Sequence, residues 1–383
     1  MAEYADWDSV FKLGSHYICA NFLKQGFKVL WFQSYWNLLT PFVAWRGFKS
    51  LFKLWRLSPL TLEGGLAGFS PFTFLPYRNF PLAKSMLFGS NTLRFTLPSV
   101  TWWLERNGWR NVDLLWVTSA DLVTLAQMLN YKGLVYRITD NMTGFSHIPT
   151  GFRELEKRII TRADVVLATS QEVANRASRF NNHTYYIANA VDLEPYQRAE
   201  PSPLLQSIPE PRIIYLGSLE YWLDYELIYD VAKLRPDYQF VLVGPPPLRS
   251  TSGYAKLKFQ SNIHFMGGKP PKQVPALLKG AEVAVIPFRL TSLTHNVSPL
   301  KLYEYLAAGL PVVSTPLREV KASKAPVIFG HNAYEFAGGL DEALTIGKDC
   351  QEFLDFASEN TWEKRLSEIE TILIKQGLHG FVG

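Results

Sequence analysis

The sequence predicts an α/β chain of two domains, each a largely parallel sheet wrapped by helices. Three observations carry this. At 383 residues, 47% of them hydrophobic and 14% aromatic, the chain can fill two cores. Short apolar runs of strand length alternate with helix-length segments from residue 101 to 195, and the alternation restarts near residue 212. Between the two series Pro195, Pro201, Pro203, Pro209 and Pro211 fall within 17 residues, the pattern of a linker. The expected division is 1–195 and 196–350, both Rossmann-like, followed by a helical segment at 351–383.

Composition narrows the functional classes. Cys19 and Cys350 are the only cysteines, so neither a disulfide framework nor a cysteine-based zinc site is expected. The opening MAEYADWDSV is acidic and lacks the apolar core of a signal peptide. No stretch approaches 18 uncharged apolar residues, so no transmembrane helix is expected and a cytoplasmic protein is the default. The net charge of +5 is uneven. Residues 1–195 hold 20 Lys/Arg against 14 Asp/Glu, whereas residues 196–383 hold 19 against 20. Within 41–100 there are seven basic residues and a single acid, Glu63. One face of the first domain is therefore basic, which suits a membrane surface, a nucleic acid or a phosphorylated substrate.

In chain order, residues 10–26 read as a helix entered through Gly14, Ser15 and His16 and closed by Gly26. Residues 28–33 follow as a buried strand. A strand should precede such a glycine-entered helix, yet only residues 1–4 remain for it. It is either very short or cut away by the start site. Residues 41–56 have the clearest helical periodicity. Arg46, Lys49, Lys53 and Arg56 are spaced 3, 4 and 3 apart and share a face. With Phe42, Trp45, Phe48, Phe52 and Trp55 around them, the helix suits the plane of an anionic membrane, and no nucleic-acid partner is expected. A merely solvated basic face is the competing reading. Residues 57–100 read as loops and short helices of the same surface.

From 101 the alternation is regular. Strands are expected at 113–118, 134–139, 164–169 and 184–187. Helices are expected at 101–107, 122–129, 154–162 and 172–180. Asp140, Ser170 and Asp192 fall at strand ends, where open α/β sheets bind ligands. In the second series strands are expected at 212–216, 238–243, 263–266 and 283–287. Helices are expected at 225–234, 272–279 and, near the end, 351–375.

The richest chemistry lies in residues 289–315. A Ser/Thr/Asn loop containing Arg289 and Asn296 runs into Ser298 and Pro299. Ser298 is expected to cap a helix and Pro299 to open it. Gly309 would end that helix before a strand begins at Val312. Free N–H groups and Lys301 suit a phosphate, and Glu304 suits a sugar hydroxyl. An ordinary αβ unit of a parallel sheet is the plain alternative. Gly217-Ser218 and Gly244, each at a strand end, allow close backbone approach. The P-loop signature, the dinucleotide G-x-G-x-x-G, H-E-x-x-H and G-x-S-x-G are absent from the sequence.

With these residues in place, the chain resembles glycosyltransferases of the GT-B fold, two Rossmann-like domains facing across a cleft. Residues 298–313 resemble their donor-binding signature, and residues 163–170, 189–192 and 238–245 match similar positions. The resemblance implies a donor site of Gly217, Ser218, Gly244, Arg289, Asn296, Ser298, Lys301, Leu302 and Glu304. Glu304 would bond the ribose hydroxyls and Lys301 the diphosphate. Gly14, Ser15 and His16 would form the acceptor-side loop. Many retaining relatives carry Glu-x7-Glu, but here the first position is Asn296. Basic residues usual after the first strand of the donor domain are also replaced by Gly217-Ser218-Leu219-Glu220. The chain is in these respects similar to bacterial exopolysaccharide glycosyltransferases, including a membrane-associated inverting glucuronosyltransferase. That subgroup implies Asp140 as general base. Independently, inversion needs one base near the acceptor hydroxyl and cations at the leaving diphosphate. A helix cap is the competing role for Asp140.

The expected function is transfer of a hexosyl or glucuronosyl group from a nucleotide sugar, a UDP-sugar, to an acceptor hydroxyl. The expected acceptor is a lipid-linked oligosaccharide at the inner membrane face, reached through Arg46, Lys49, Lys53 and Arg56. No metal or other cofactor is expected. A sugar-nucleotide epimerase or phosphorylase, or a non-catalytic nucleotide-sugar-binding partner, would share the architecture.

Overall fold

A computed structural model describes residues 1–4, 6–7, 13–38, 40, 45–56, 59–74, 77, 84–139, 142, 148–247 and 250–378. The chain forms two compact units, one of residues 1–188 with 366–383 and one of residues 189–365. The division comes seven residues before the expected 195/196, and the proline-rich stretch belongs to the second unit. The C-terminal segment is also shared: residues 351–365 stay with the second unit and residues 366–383 with the first.

The first unit is built on an eight-stranded sheet. Its strands are β1 (Ala2–Glu3), β2 (Val29–Gln33), β3 (Leu60–Glu63), β4 (Leu66–Phe69), β7 (Asn111–Val117), β8 (Asn130–Ile138), β9 (Val165–Ala168) and β10 (Thr184–Tyr186). β5 (Phe72–Thr73) and β6 (Thr96–Leu97) form a separate antiparallel ribbon. The sheet order is β10-β9-β8-β7-β1-β2-β4-β3, parallel except for the β3–β4 hairpin. The first strand is present and two residues long. It lies inside the sheet, with Ala2 opposite Phe32 of β2 and Val117 of β7. N-terminal to it, β2 and β7 border a slot of about 590 Å³. Helix α1 (Gly14–Lys24) enters through the glycine turn, and α2 (Trp45–Leu54) lies within the expected basic helix. α3 (Phe152–Arg162) and α4 (Gln171–Ala177) connect the later strands.

Residues 57–100 hold short helices at Met86–Gly89 and Thr92–Arg94 as expected, but differ from expectation in also containing β3 to β6. The hairpin turns at Gly64-Gly65, with Gly65 at φ +81°. β4 also packs tightly: a Cβ at Gly68 would stand 2.7 Å from Leu54 Cδ2. The Gly-Gly turn between short apolar runs was a usable hairpin signal, obscured by the surrounding Pro and Phe.

The second unit is a six-stranded parallel sheet of β11 (Arg212–Leu216), β12 (Gln239–Val243), β13 (Ile263–Gly267), β14 (Val283–Ile286), β15 (Val312–Ser314) and β16 (Val327–Phe329). The order β13-β12-β11-β14-β15-β16 reverses direction of growth between β11 and β14. Such a reversal opens a crevice at the carboxyl ends of the strands. β11, β12 and β14 are almost wholly buried, as near-continuous Ile, Val and Leu runs require of a sheet covered on both faces. Helix α5 (Tyr225–Leu234) packs Ile228, Val231 and Ala232 inward, and its Asp224 cap accepts the Leu227 N–H at 3.1 Å. α6 (Leu300–Ala307), α7 (Ala333–Ile346) and α8 (Gln351–Glu359) complete the unit, and α9 (Trp362–Lys375) carries the chain back to the first.

Candidate functional site

The second unit gathers its sequence-predicted residues at the β11/β14 switch. Gly217 follows β11 and has φ +139°, a conformation that favours glycine. Gly244 follows β12 and cannot carry a side chain, since its Cβ would meet Gly217 O at 1.8 Å. Three backbone bonds fix these turns: Gly217 N–H to Val243 O at 2.9 Å, Gly244 N–H to Gly267 O at 3.0 Å, and Leu219 N–H to Pro245 O at 3.0 Å. Tyr215 holds the Gly217 turn from beneath, its hydroxyl donating to Ser218 O at 3.1 Å.

Lys301 reaches this turn from α6. A Cβ at Gly217 would lie 3.2 Å from Lys301 Nζ, so the ammonium borders the Gly217 backbone. The ammonium also sits 4.5 Å from the Phe288 ring centre and 5.1 Å from that of Tyr215. It makes no hydrogen bond or ion pair with the described residues. Burial pushes its pKa down to about 8, opposed only by the Glu304 charge. A desolvated cation held over aromatic faces and beside a glycine turn is prepared for an anion.

Glu304 lies one turn along α6 from Lys301, on the same face. Burial raises its pKa, while the Tyr196 hydroxyl and Lys301 favour its ionised form. The structure adds Tyr196 to the site. It comes from a short helix after Asp192, and its distance from Glu304 in sequence concealed the pair.

The loop entering α6 differs in detail from expectation. Pro299, not Ser298, is the residue before the first helical turn, and α6 begins at Leu300. Ser298 instead offers its carbonyl to Asn189 Nδ2 at 2.8 Å, and its hydroxyl bonds Tyr303. Gly309, at φ +77°, ends the unit as expected. Asn296 is buried, donating from Nδ2 to Ser292 O at 2.8 Å and leaving Oδ1 without a partner among the described residues. Arg289 has an exposed side chain, and its backbone N–H bonds Trp222 O at 2.8 Å. Leu302 is buried in the core at 1% exposure and its N–H donates to Pro299 O at 3.0 Å, so it packs α6 rather than facing a ligand.

In the first unit, Gly14, Ser15 and His16 are all buried at the start of α1. His16 is occupied structurally. Its Nδ1 accepts from Leu13 N at 3.0 Å, its Nε2 lies 3.0 Å from Asp6 O, and its ring packs against Trp7 and Trp31. Sequence reading missed Glu3, fully buried at the end of β1. Thr118 Oγ1 donates to it at 2.7 Å, and burial raises its pKa to about 7 against the pull of Thr118, Ser15, the Met1 amine and Arg137. Asp140 lies outside the described residues, as does the side chain of Arg46. Lys49, Lys53 and Arg56 are exposed on or just after α2.

The comparisons with known proteins agree with this geometry. Residues 210–345 match the family described as glycosyl transferases group 1, a span that includes the whole β11–α6 site. The matched residues lie wholly within the second unit. Over 266 residues the chain is 26% identical to the putative teichuronic acid biosynthesis glycosyltransferase TuaH of Bacillus subtilis. That match spans 65% of this chain and 66% of TuaH. Sucrose-phosphate synthase from Thermosynechococcus elongatus superposes with a TM-score of 0.67 at 16% identity, covering 94% of this chain and 92% of the synthase. HepE from Anabaena, in complex with UDP and glucose, gives 0.65 at 18% identity, covering 97% and 98%. The chain thus has the GT-B fold that these neighbours share.

Proposed function

We propose that this glycosyltransferase takes a sugar from a UDP-sugar and transfers it to the hydroxyl of a lipid-linked oligosaccharide during cell-surface polysaccharide synthesis. The observation that carries the reading is the Lys301 ammonium, held beside the Gly217 turn with no ion pair among the described residues and only the Glu304 charge to offset its burial. Lys301 and the start of α6 hold the diphosphate, and the backbone at Gly217 and Gly244 admits it closely. Glu304, aligned by Tyr196, takes the ribose hydroxyls. HepE supports UDP as the nucleotide, because solved complexes of that protein contain UDP and UDP-glucose. TuaH supports a polysaccharide acceptor, being named for teichuronic acid biosynthesis.

As the diphosphate leaves, the bond from the sugar C1 breaks and negative charge grows on the β-phosphate oxygen that carried it. Lys301 stabilises that charge where water competes least. Asp140, two residues past the end of β8, is proposed as the base that takes the acceptor proton, giving inversion. Asn296 fits this assignment, since an amide cannot supply the carboxylate found at that position in many retaining relatives. Lys49, Lys53 and Arg56 place the enzyme on the anionic inner face of the membrane.

The test is turnover with a panel of UDP-sugars and lipid-linked saccharide acceptors, following UDP release and product anomer by NMR. We expect acceptor-dependent UDP release and an inverted product, with Asp140→Asn at least about a hundredfold slower. UDP release that ignores the acceptor would overturn transfer. A retained anomer, or near-normal turnover by Asp140→Asn, would remove Asp140 as the base.

A further inference from the structure

We propose that the first unit docks on an anionic bilayer through a composite patch. In it the β5–β6 ribbon supplies the inserting apolar side chains, and α2 supplies both an apolar anchor and the headgroup-binding cations. This rests on the membrane reading above and goes beyond it, because that reading named contact residues on the helix only and none on the ribbon.

The patch is built by contact. Trp36 sits at its centre, with ring centres 4.7 Å from Phe72, 5.3 Å from Trp55 and 5.8 Å from Phe52. Phe72 in turn touches Phe74 at 4.8 Å. The ribbon is tied to the helix end by Trp55 Nε1, which donates to Leu97 O at 2.6 Å. Within the ribbon Phe72 lies opposite Leu97, and Thr73 Oγ1 donates to Phe95 O at 3.1 Å. Trp36 and Phe72 are buried and form the base. What they hold outward is apolar: Phe74 is 59% exposed, Phe95 56%, Phe52 51% and Leu97 48%.

Exposed apolar side chains are ordinary when scattered, but a cluster fixed on a rigid aromatic base marks an interaction surface. Charge identifies the partner. Lys49, Phe52, Lys53 and Arg56 follow one another at helical spacings of 3, 1 and 3, so the cations flank the exposed ring on one face. Arg94, also exposed, precedes Phe95. Across residues 41–100 seven cations meet one acid. Aromatic and aliphatic tips ringed by Lys and Arg match the boundary of an anionic bilayer, with rings at the acyl edge and cations among phosphates.

The experiment uses the full-length protein in vesicle flotation. Vesicles are phosphatidylcholine alone or phosphatidylcholine with phosphatidylglycerol. The variants are Phe74→Ser/Phe95→Ser/Leu97→Ser, the single Phe95→Ser, and Lys49→Glu/Lys53→Glu/Arg56→Glu. Phe259→Ser, at a 90% exposed position of the second unit, is the control. UDP binding and melting temperature report folding. We expect wild type and Phe259→Ser to float with the anionic vesicles. The triple ribbon variant should lose at least about tenfold in partitioning while keeping UDP binding, and Phe95→Ser should lose a smaller share. The charge-reversed variant should lose anionic selectivity. Wild-type flotation that the folded ribbon variants leave unchanged would overturn the patch and leave the membrane reading standing. If the ribbon triple does not fold, unchanged flotation of Phe95→Ser overturns it. Wild type that floats with neither vesicle would overturn both and point to a soluble partner.

Discussion

Lys301 shows how a single residue can be held ready for its ligand. Its pKa lies near 8 because burial disfavours the charged form and only Glu304 opposes that loss. Below about pH 8 the free protein still carries the ammonium, and above it the charge is lost. A bound diphosphate restores the preference for the charged form, so binding takes up a proton at alkaline pH. Affinity for UDP must therefore fall as pH rises through 8, by up to about tenfold per unit. Glu304 presents the complementary case: its carboxylate is kept usable by Tyr196. Removing that hydroxyl with Tyr196→Phe should weaken UDP by about ten- to a hundredfold, the worth of one hydrogen bond to a charged group, with little change in melting temperature. Calorimetric titration of UDP measures this directly, and an unchanged affinity would detach Tyr196 from the site.

At the scale of elements, the site is made by turns that only particular residues permit. The β12 turn passes so close to the β11 turn that Gly244→Ala would drive a methyl group into Gly217 O. We expect that change to lower stability by about 1–3 kcal/mol and to abolish UDP binding, because one turn must move. Thermal melting with and without UDP gives both readings. Much of this was legible in advance. Regular strands of Ile and Val, Gly217 and Gly244 at strand ends, and the Pro299–Gly309 helix all follow from local chemistry. The cap shifted by one residue, because Tyr303 within α6 takes the Ser298 hydroxyl while Asn189, remote in sequence, holds its carbonyl. The β3–β4 hairpin was missed where aromatic residues blurred the alternation. Glu3 and Tyr196 were missed for another reason: each acquires its role only when a distant segment buries it. His16 was read as part of a binding loop, but its two ring nitrogens serve the start of α1 and its neighbours.

At the scale of the molecule, the chain crosses between its two units twice, at 188/189 and 365/366. Sequence reading found the division near the prolines but expected no return to the first unit, since residues 351–383 read only as a helical segment after the second. The donor-side chemistry is concentrated in the second unit, and the basic, aromatic surface in the first. This division of labour predicts that lesions at the Phe74–Phe95–Leu97 ribbon and at Lys301 affect separate properties, bilayer partitioning and nucleotide affinity. The central claim is that the second unit binds a nucleoside diphosphate through Lys301. The most direct test is UDP titration of the wild type and Lys301→Met between about pH 6.5 and 9.5. The account predicts strong wild-type binding that declines above pH 8, and affinity at least about tenfold lower in Lys301→Met with no decline at that pH. Equal affinities for the two proteins across that range would contradict it.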